Sequence, residues 1–182
     1  MSYDRLWAPW RLAYIADKEQ KTIGGEPALA LRTPRQPPPG ACFLCHYLAE
    51  DAAFDRDNLV LRRADRTVVV LNRYPYNNGH LLVAPKAHKA ALGDLDHDEL
   101  LECQTLLVEL TALLERAFKA QGFNIGLNLG AIAGAGLPGH LHWHLVPRWS
   151  GDTNFMPVVA ATHILPQALE AAYDILHAAW QE

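Results

Sequence analysis

His140-Leu141-His142-Trp143-His144-Leu145-Val146 alternates an imidazole with an apolar side chain. Alternate side chains of a β-strand share a face. The spacing therefore predicts a strand over His140–Pro147 with His140, His142 and His144 on one face, neighbours roughly 6.5–7 Å apart. Leu141, Trp143 and Leu145 would anchor the opposite face in a core. Three imidazoles so arranged admit three readings. One is a polar face with no chemistry. Another is a metal site, since neutral imidazole is a common ligand. The third is nucleophilic catalysis at phosphorus, which divides one difficult step into two through a phosphoramidate. A neighbouring histidine then serves as acid or phosphate donor, and another orients the nucleophile.

Outward from this run, Phe123–Leu129 alternates in the same way and reads as a strand, joined to it by a Gly-rich loop over 130–139. Asn58–Arg63 and Thr67–Asn72 are short β-branched runs whose link, Ala64–Arg66, suits a hairpin. A segment dense in turn formers, Tyr74–Gly79, leads to a third strand over His80–Pro85. Two of these runs are nearly all apolar, so both sheet faces are expected to be partly covered. Leu100, Leu106, Leu107, Leu110, Leu113, Leu114 and Phe118 recur at helical spacing, predicting a helix over Asp94–Ala120. Asp94 or Asp96 can cap its start and Gly122 is expected to end it. A C-terminal helix is expected over Leu165–Trp180. Strands, helix, strands, helix in that order predict an α+β fold, an antiparallel sheet with the long helix packed on it. Ahead of a domain over 41–182, residues 1–40 read as an aromatic arm (Trp7, Trp10, Tyr14) and a Pro-rich linker.

The chain has 182 residues, half of them hydrophobic, which suits one domain with its own core. A formal net charge of −4 argues against a protein that coats nucleic acid. No run approaches the roughly 20 apolar residues of a membrane span, and Met1–Trp10 carries Asp4 and Pro9 rather than a signal peptide's apolar stretch. A cytoplasmic protein is expected. Three cysteines, an odd count, argue against a disulfide framework. Cys103 reads as a core thiol. Cys42-x-x-Cys45 is half of a tetrahedral zinc site, or two reduced thiols packed under a loop. Gly134-x-Gly136-x-x-Gly139 spells a dinucleotide fingerprint, but Pro138 and the histidine strand follow where a helix is needed. It reads better as a loop whose backbone approaches a phosphate chain. His80 and His46 read as ordinary polar residues, and His97, His163 and His177 as surface.

The histidine run resembles the signature of the histidine triad family, His-φ-His-φ-His-φ-φ with φ hydrophobic. The resemblance extends to Asn72-Arg73-Tyr74-Pro75-Tyr76-Asn77-Asn78-Gly79-His80, which is similar to the family's Asn-x-x-Pro…Gly-His segment. Gly122–Gly130, the Gly-rich loop, Pro147-Arg148-Trp149 through Asp152-Thr153-Asn154-Phe155, and Trp7-Ala8-Pro9-Trp10-Arg11 resemble the branch containing bacterial diadenosine tetraphosphate phosphorylases. It implies an enzyme that acts on dinucleoside polyphosphates through a covalent nucleotidyl-histidine. His142 would be the nucleophile, His144 the donor to phosphate and His140 the support of the triad. Asn72 falls where relatives bind ribose, and Asn128, with Gly134 and Gly136 on the loop, where they approach phosphates. Trp149 falls near the site. Cys42, Cys45, His88 and His140 stand where zinc-bearing members hold a structural zinc. A homodimer or larger homo-oligomer with a continuous sheet is implied, taking a nucleotide substrate and neither nucleic acid polymer nor membrane. A nucleoside phosphoramidate hydrolase, a nucleotide-binding module with little turnover, and an enzyme whose zinc activates water are the alternatives. Relatives carry Gln, Ser or Thr three to four residues before the first histidine. Here Gly136 and Leu137 stand there, so phosphate contact at those positions falls to backbone N–H groups.

Overall fold

Thr67–Leu71 and Leu81–Pro85 are buried along their whole length, which requires cover on both faces of the sheet they form. The computed structural model describes residues 4–7, 37, 40–153, 162–165 and 167–181. Along the chain these form β1 (Asp4–Trp7), α1 (Phe43–Ala49), α2 (Asp55–Asn58), β2 (Val60–Arg63), β3 (Thr67–Leu71) and β4 (Leu81–Pro85). Then follow α3 (His97–Phe118), β5 (Gly122–Leu127), β6 (Trp143–Arg148), β7 (Thr162–Leu165) and α4 (Leu169–Gln181). Five strands form one antiparallel sheet in the order β2-β3-β4-β6-β5, and β1 pairs in parallel with β7. The expected α+β architecture and the hairpin are both present, the hairpin carrying a bulge between Val60 and Arg62.

The two faces are covered unequally. On one, α3 and α4 bury Val69, Leu71, Leu81, Val83, Trp143 and Leu145. On the other, Leu44 and Tyr47 of α1 pack on Val60, Val68, Val70, Leu82 and Ala84, residues of β2, β3 and β4. That second cover does not reach β5, which is largely exposed. The histidine strand β6 lies between the covered and the open parts of this face.

The long helix starts at a reciprocal capping box. Asp96 accepts from Glu99 N at 2.8 Å and Glu99 accepts from Asp96 N at 2.9 Å. Glu99 also takes an ion pair from Lys89. The helix ends differently from expectation: Lys119 adopts the left-handed conformation at φ 54°, and Gly122 opens β5. A left-handed turn at Lys119 lets Ala120 N reach Leu114 O at 3.4 Å, which closes the last turn three residues before the glycine. The C-terminal helix begins at Leu169, and Leu165 belongs to β7. No helix among the described residues is long and apolar enough to cross a membrane. Most of the arm and linker expected over 1–40 lies outside the described residues, as do Asn154 and Phe155.

Candidate active site and metal centre

The turn from β3 to β4 builds one wall of the site. Asn72 N donates to His80 O at 2.8 Å and closes the turn. Gly79 lies at φ +68°, and a Cβ there would sit 2.9 Å from the Phe118 ring, so only glycine lets the turn rest on the end of α3. His80 is thereby fully buried, with 0% of its surface exposed.

Its hydrogen bonds assign its tautomer. Tyr76 N donates to His80 Nδ1 at 3.0 Å. Asn72 Oδ1 accepts from Tyr74 N at 3.0 Å, which turns the amide NH2 of Asn72 toward His80 Nδ1 at 3.2 Å. With two donors on Nδ1, the proton of neutral His80 sits on Nε2. Nε2–H then donates to His144 Nδ1 at 3.0 Å. His144 must accept there, so its own proton is on Nε2. Burial, with His142 beside it, pushes His144 down to about 4. It is a neutral donor at neutral pH.

His142 has the opposite tautomer. Its Nδ1–H donates to the backbone carbonyl of His140 at 2.8 Å, which leaves the lone pair on Nε2. The ring is 8% exposed and lies edge-on to His144, centroids 5.0 Å apart. A nucleophilic nitrogen and a neutral N–H donor therefore stand side by side.

The expected strand over His140–Pro147 is shorter: β6 starts at Trp143. His140 lies in a bend, its N–H on Leu137 O at 3.3 Å, and Leu141 N donates to Lys89 O at 2.7 Å. The His140 ring serves a second cluster. Its Nε2–H donates to Pro85 O at 2.8 Å, so its Nδ1 lone pair faces Cys42 Sγ at 3.2 Å and Cys45 Sγ at 3.5 Å. His88 Nδ1 lies 3.3 Å from Cys45 Sγ, and all four ligand atoms fall within 4.8 Å of one another. Tetrahedral zinc, with bonds of about 2.3 Å to sulfur and about 2.0–2.1 Å to nitrogen, needs ligand atoms roughly 3.3–3.8 Å apart. The donor set fits, and three of the six pairs already stand near this spacing, at 3.2, 3.3 and 3.5 Å. Cys42 caps the start of α1 and takes Cys45 N on its sulfur at 3.5 Å. Burial, then the neighbouring Cys42, pushes the Cys45 thiol up to about 11. A bound cation reverses that preference and holds the sulfur as thiolate.

The remaining expected residues are dispersed. Asn72 lines a cleft of about 190 Å³ with Phe43, Tyr47, Val70 and Leu82. Leu82 is the register partner of His144, so the cleft adjoins the histidine strand. Asn128, Gly134 and Gly136 lie on the loop after β5, with Gly134 and Gly136 exposed. Leu137 packs against the α1 cluster and pins that loop. Trp149 donates from Nε1 to Phe118 O at 3.1 Å and packs on the α3 core, so its polar atom is occupied at the helix end. Asp152 accepts from Arg148 Nε at 2.6 Å and from Asn77 at 2.9 Å, clamping the segment after β6 to the β3–β4 turn. Taken alone, the residue pattern makes His80 an ordinary polar residue and Tyr76 a turn former, and assigns neither a role at the site. The available signal is the resemblance of Asn72–His80 to the family's Asn-x-x-Pro…Gly-His segment, which ends on His80.

The chain is similar to known proteins in sequence and in fold. The family model for the HIT domain matches residues 54–151. A protein of Mycobacterium tuberculosis named AP-4-A phosphorylase is 35% identical over 176 residues, covering 97% of this chain and 84% of its own. The solved structure of a hypothetical histidine triad nucleotide-binding protein from Sulfolobus tokodaii is 25% identical, with a TM-score of 0.62 over 77% of this chain and 92% of its own. That of a Zn-bound histidine triad family protein from Mycobacterium smegmatis shares the fold, with a TM-score of 0.61 and 22% identity over 78% of this chain and 94% of its own. The paired tautomers of His142 and His144 thus sit within a match that runs through the whole sheet, and the chain belongs to the HIT domain family.

Proposed function

We propose that this protein cleaves dinucleoside polyphosphates, with His142 Nε2 taking the nucleotidyl group and inorganic phosphate removing it. One observation carries the reading: His142 is held with Nε2 unprotonated beside the Nε2–H of neutral His144. In diadenosine tetraphosphate, His142 attacks the phosphorus nearest one adenosine. The P–N bond forms as the P–O bond to the remaining chain breaks, releasing ATP. His144 donates a hydrogen bond to a phosphate oxygen in the transition state. Phosphate then attacks the same phosphorus, the P–N bond breaks, and ADP leaves. The cleft beside Asn72 is smaller than the roughly 300–1,000 Å³ of pockets for drug-sized ligands. It suits one base and its ribose rather than the whole substrate. The similarity to the mycobacterial phosphorylase along nearly the full chain supports phosphate as acceptor.

Incubation with diadenosine tetraphosphate tests this. ADP and ATP are expected only when phosphate is present. AMP and ATP whether or not phosphate is present would reject phosphorolysis, and no product would reject the reading.

Cys42, Cys45, His88 and His140 would hold a structural zinc, which when bound keeps both sulfurs as thiolates and fixes the His140 backbone. A homodimer belongs to the same reading, since β5 is an edge strand that a second copy can extend.

The relay from Asn72 through His80 to His144 makes His80 a positioning residue. His80→Leu is expected to lower kcat roughly 10–100-fold, by analogy with the loss of residues that orient a metal-bound imidazole, with KM within about threefold. An equal rise in KM would show that the change disturbs the cleft instead.

Acid should also destabilise the fold. Free histidine titrates near 6.5, while His144 is pushed down to about 4 by burial and His142. Between those values the unfolded chain binds a proton that the folded chain does not. This contribution is therefore full above about 6.5 and lost as pH falls toward about 4. The urea midpoint should be lower at pH 5 than at pH 7, and His144→Gln should shrink the difference. An undiminished difference in that variant would assign the acid sensitivity to other groups.

A further inference from the structure

Tyr76 is an exposed aromatic that is nevertheless held in place. Its ring lies 4.7 Å from that of His80 and is stacked on His144, centroids 5.6 Å apart at 20°. Its backbone N–H is tied to His80. The turn that carries it is pinned after Tyr76 by Gly79 against Phe118 and by Asn77 on Asp152, and before it by Tyr74 N donating to Asn72 Oδ1. Yet 55% of Tyr76 remains exposed. One side of the ring backs the phosphate donor, and the remainder faces solvent.

The sheet beside it is open on the same side. Gly126 is the register partner of His144, and a Cβ at Gly126 would meet nothing within 4 Å. The base-sized cleft lies over β3 and β4, so a phosphate chain running from it past His142 and His144 continues over Gly126. On this path the leaving half of a substrate would emerge there. Arg148, the charged residue at this end of β6, is bound to Asp152 and Asn124. What this part of the surface offers is a flat aromatic ring.

We propose that the outward face of Tyr76 stacks the base of the leaving nucleotide, making Tyr76 a specificity residue for substrates with a base at both ends. This rests on the dinucleoside reading above. The ring is preorganised by His80 and His144, so stacking costs little side-chain entropy. A neutral π-face accepts any base, which predicts a preference for two bases over one without a preference for which base stands second.

Two readouts separate this proposal from the function it rests on. The first is binding to His142→Ala protein, which cannot turn substrate over, using diadenosine tetraphosphate and adenosine 5′-tetraphosphate. These share an adenosine and four phosphates and differ in the second nucleoside. The dinucleotide is expected to bind roughly 10-fold more tightly. Adding Tyr76→Leu should erase that preference and leave adenosine tetraphosphate within about twofold, whereas Tyr76→Phe should keep it. Equal binding of the two ligands, a preference that survives Tyr76→Leu, or equal weakening of both would each overturn the proposal. The last result would place the ring's effect on His144 alone. The second readout is turnover of diadenosine tetraphosphate by the native protein. Its absence, with the Tyr76-dependent preference intact, would overturn the catalytic reading and leave the subsite standing.

Discussion

His142→Ala should abolish turnover of diadenosine tetraphosphate, a loss of roughly four orders of magnitude or more, while nucleotide binding stays within about threefold. The two halves of this result have separate causes. Alanine removes the nitrogen that forms the covalent bond, and no neighbour can replace it. His144 presents a protonated Nε2, and its Nδ1 is occupied by His80. His140 has its Nε2 on Pro85 O and its Nδ1 against the two cysteines. His80 is buried. The other imidazoles near the site are thus committed, which makes the loss near-complete. Binding persists because the cleft is formed by α1, β3 and β4, and His142 is not among its lining residues. A complementary measurement follows the protein itself. Brief exposure of the native protein to α-labelled dinucleotide without phosphate should leave acid-labile, base-stable label on the chain, as a phosphoramidate requires, and His142→Ala should show none. Turnover undiminished in the variant would remove His142 from the mechanism.

The sequence already carried most of the scaffold because burial writes itself into periodicity. The apolar runs of β3 and β4 are buried throughout, and Leu106, Leu107, Leu110, Leu113 and Leu114 of α3 point into the core as their spacing required, whereas Leu100 in the first turns is exposed. The ends of elements were harder to read, for reasons visible in single residues. Lys119 takes the left-handed conformation expected of Gly122, because the bond from Ala120 to Leu114 closes the helix first. Side-chain alternation runs on to His140, yet the hydrogen-bonded ladder stops at Trp143. Alternation reports which way side chains point, and it does not report where a ring is drawn off toward two sulfurs. The Cys42, Cys45, His88 and His140 grouping, implied by resemblance, is a cluster in space. The role of His80 depends on a contact from the residue just before β4 to His144 of β6, which side-chain periodicity does not encode and only the family-like Gly79-His80 pair points to. The departure at Gly136 and Leu137 also takes on a physical meaning. Leu137 trades a polar contact for an apolar anchor on the α1 cluster, so the loop is held from beneath while Gly134 and Gly136 stay exposed.

Removing the metal should cost the fold before it costs the chemistry. Purified protein is expected to carry one zinc per chain. Stripping it with a strong chelator should lower the melting temperature by about 10 °C, and returning zinc should restore it. The magnitude follows from two scales. Structural zinc contributes about 10–16 kcal/mol in small zinc-dependent peptides. A chain with a core of its own loses a fraction of that, and each 1 kcal/mol moves the midpoint of a 150–250-residue protein by about 2–4 °C. Some 3–5 kcal/mol is therefore enough. Cys45→Ser should reproduce the loss without chelator. Activity is tied to the same cluster through one residue. His140 offers its ring to the cysteines, while its backbone carbonyl holds the Nδ1 proton of His142. Releasing the ring frees the carbonyl, and the His142 tautomer that makes Nε2 a nucleophile is no longer enforced. Activity should then decline with the same time course as the loss of structure followed by near-ultraviolet circular dichroism. Immediate inhibition with an unchanged melting temperature would mean that the metal takes part in the reaction, and would reject its assignment as structural. The surroundings argue for the structural outcome, since His140 is fully buried and both cysteines are partly so, with His88 the exposed member of the four. Four protein ligands also complete a tetrahedral shell, leaving no position for a water.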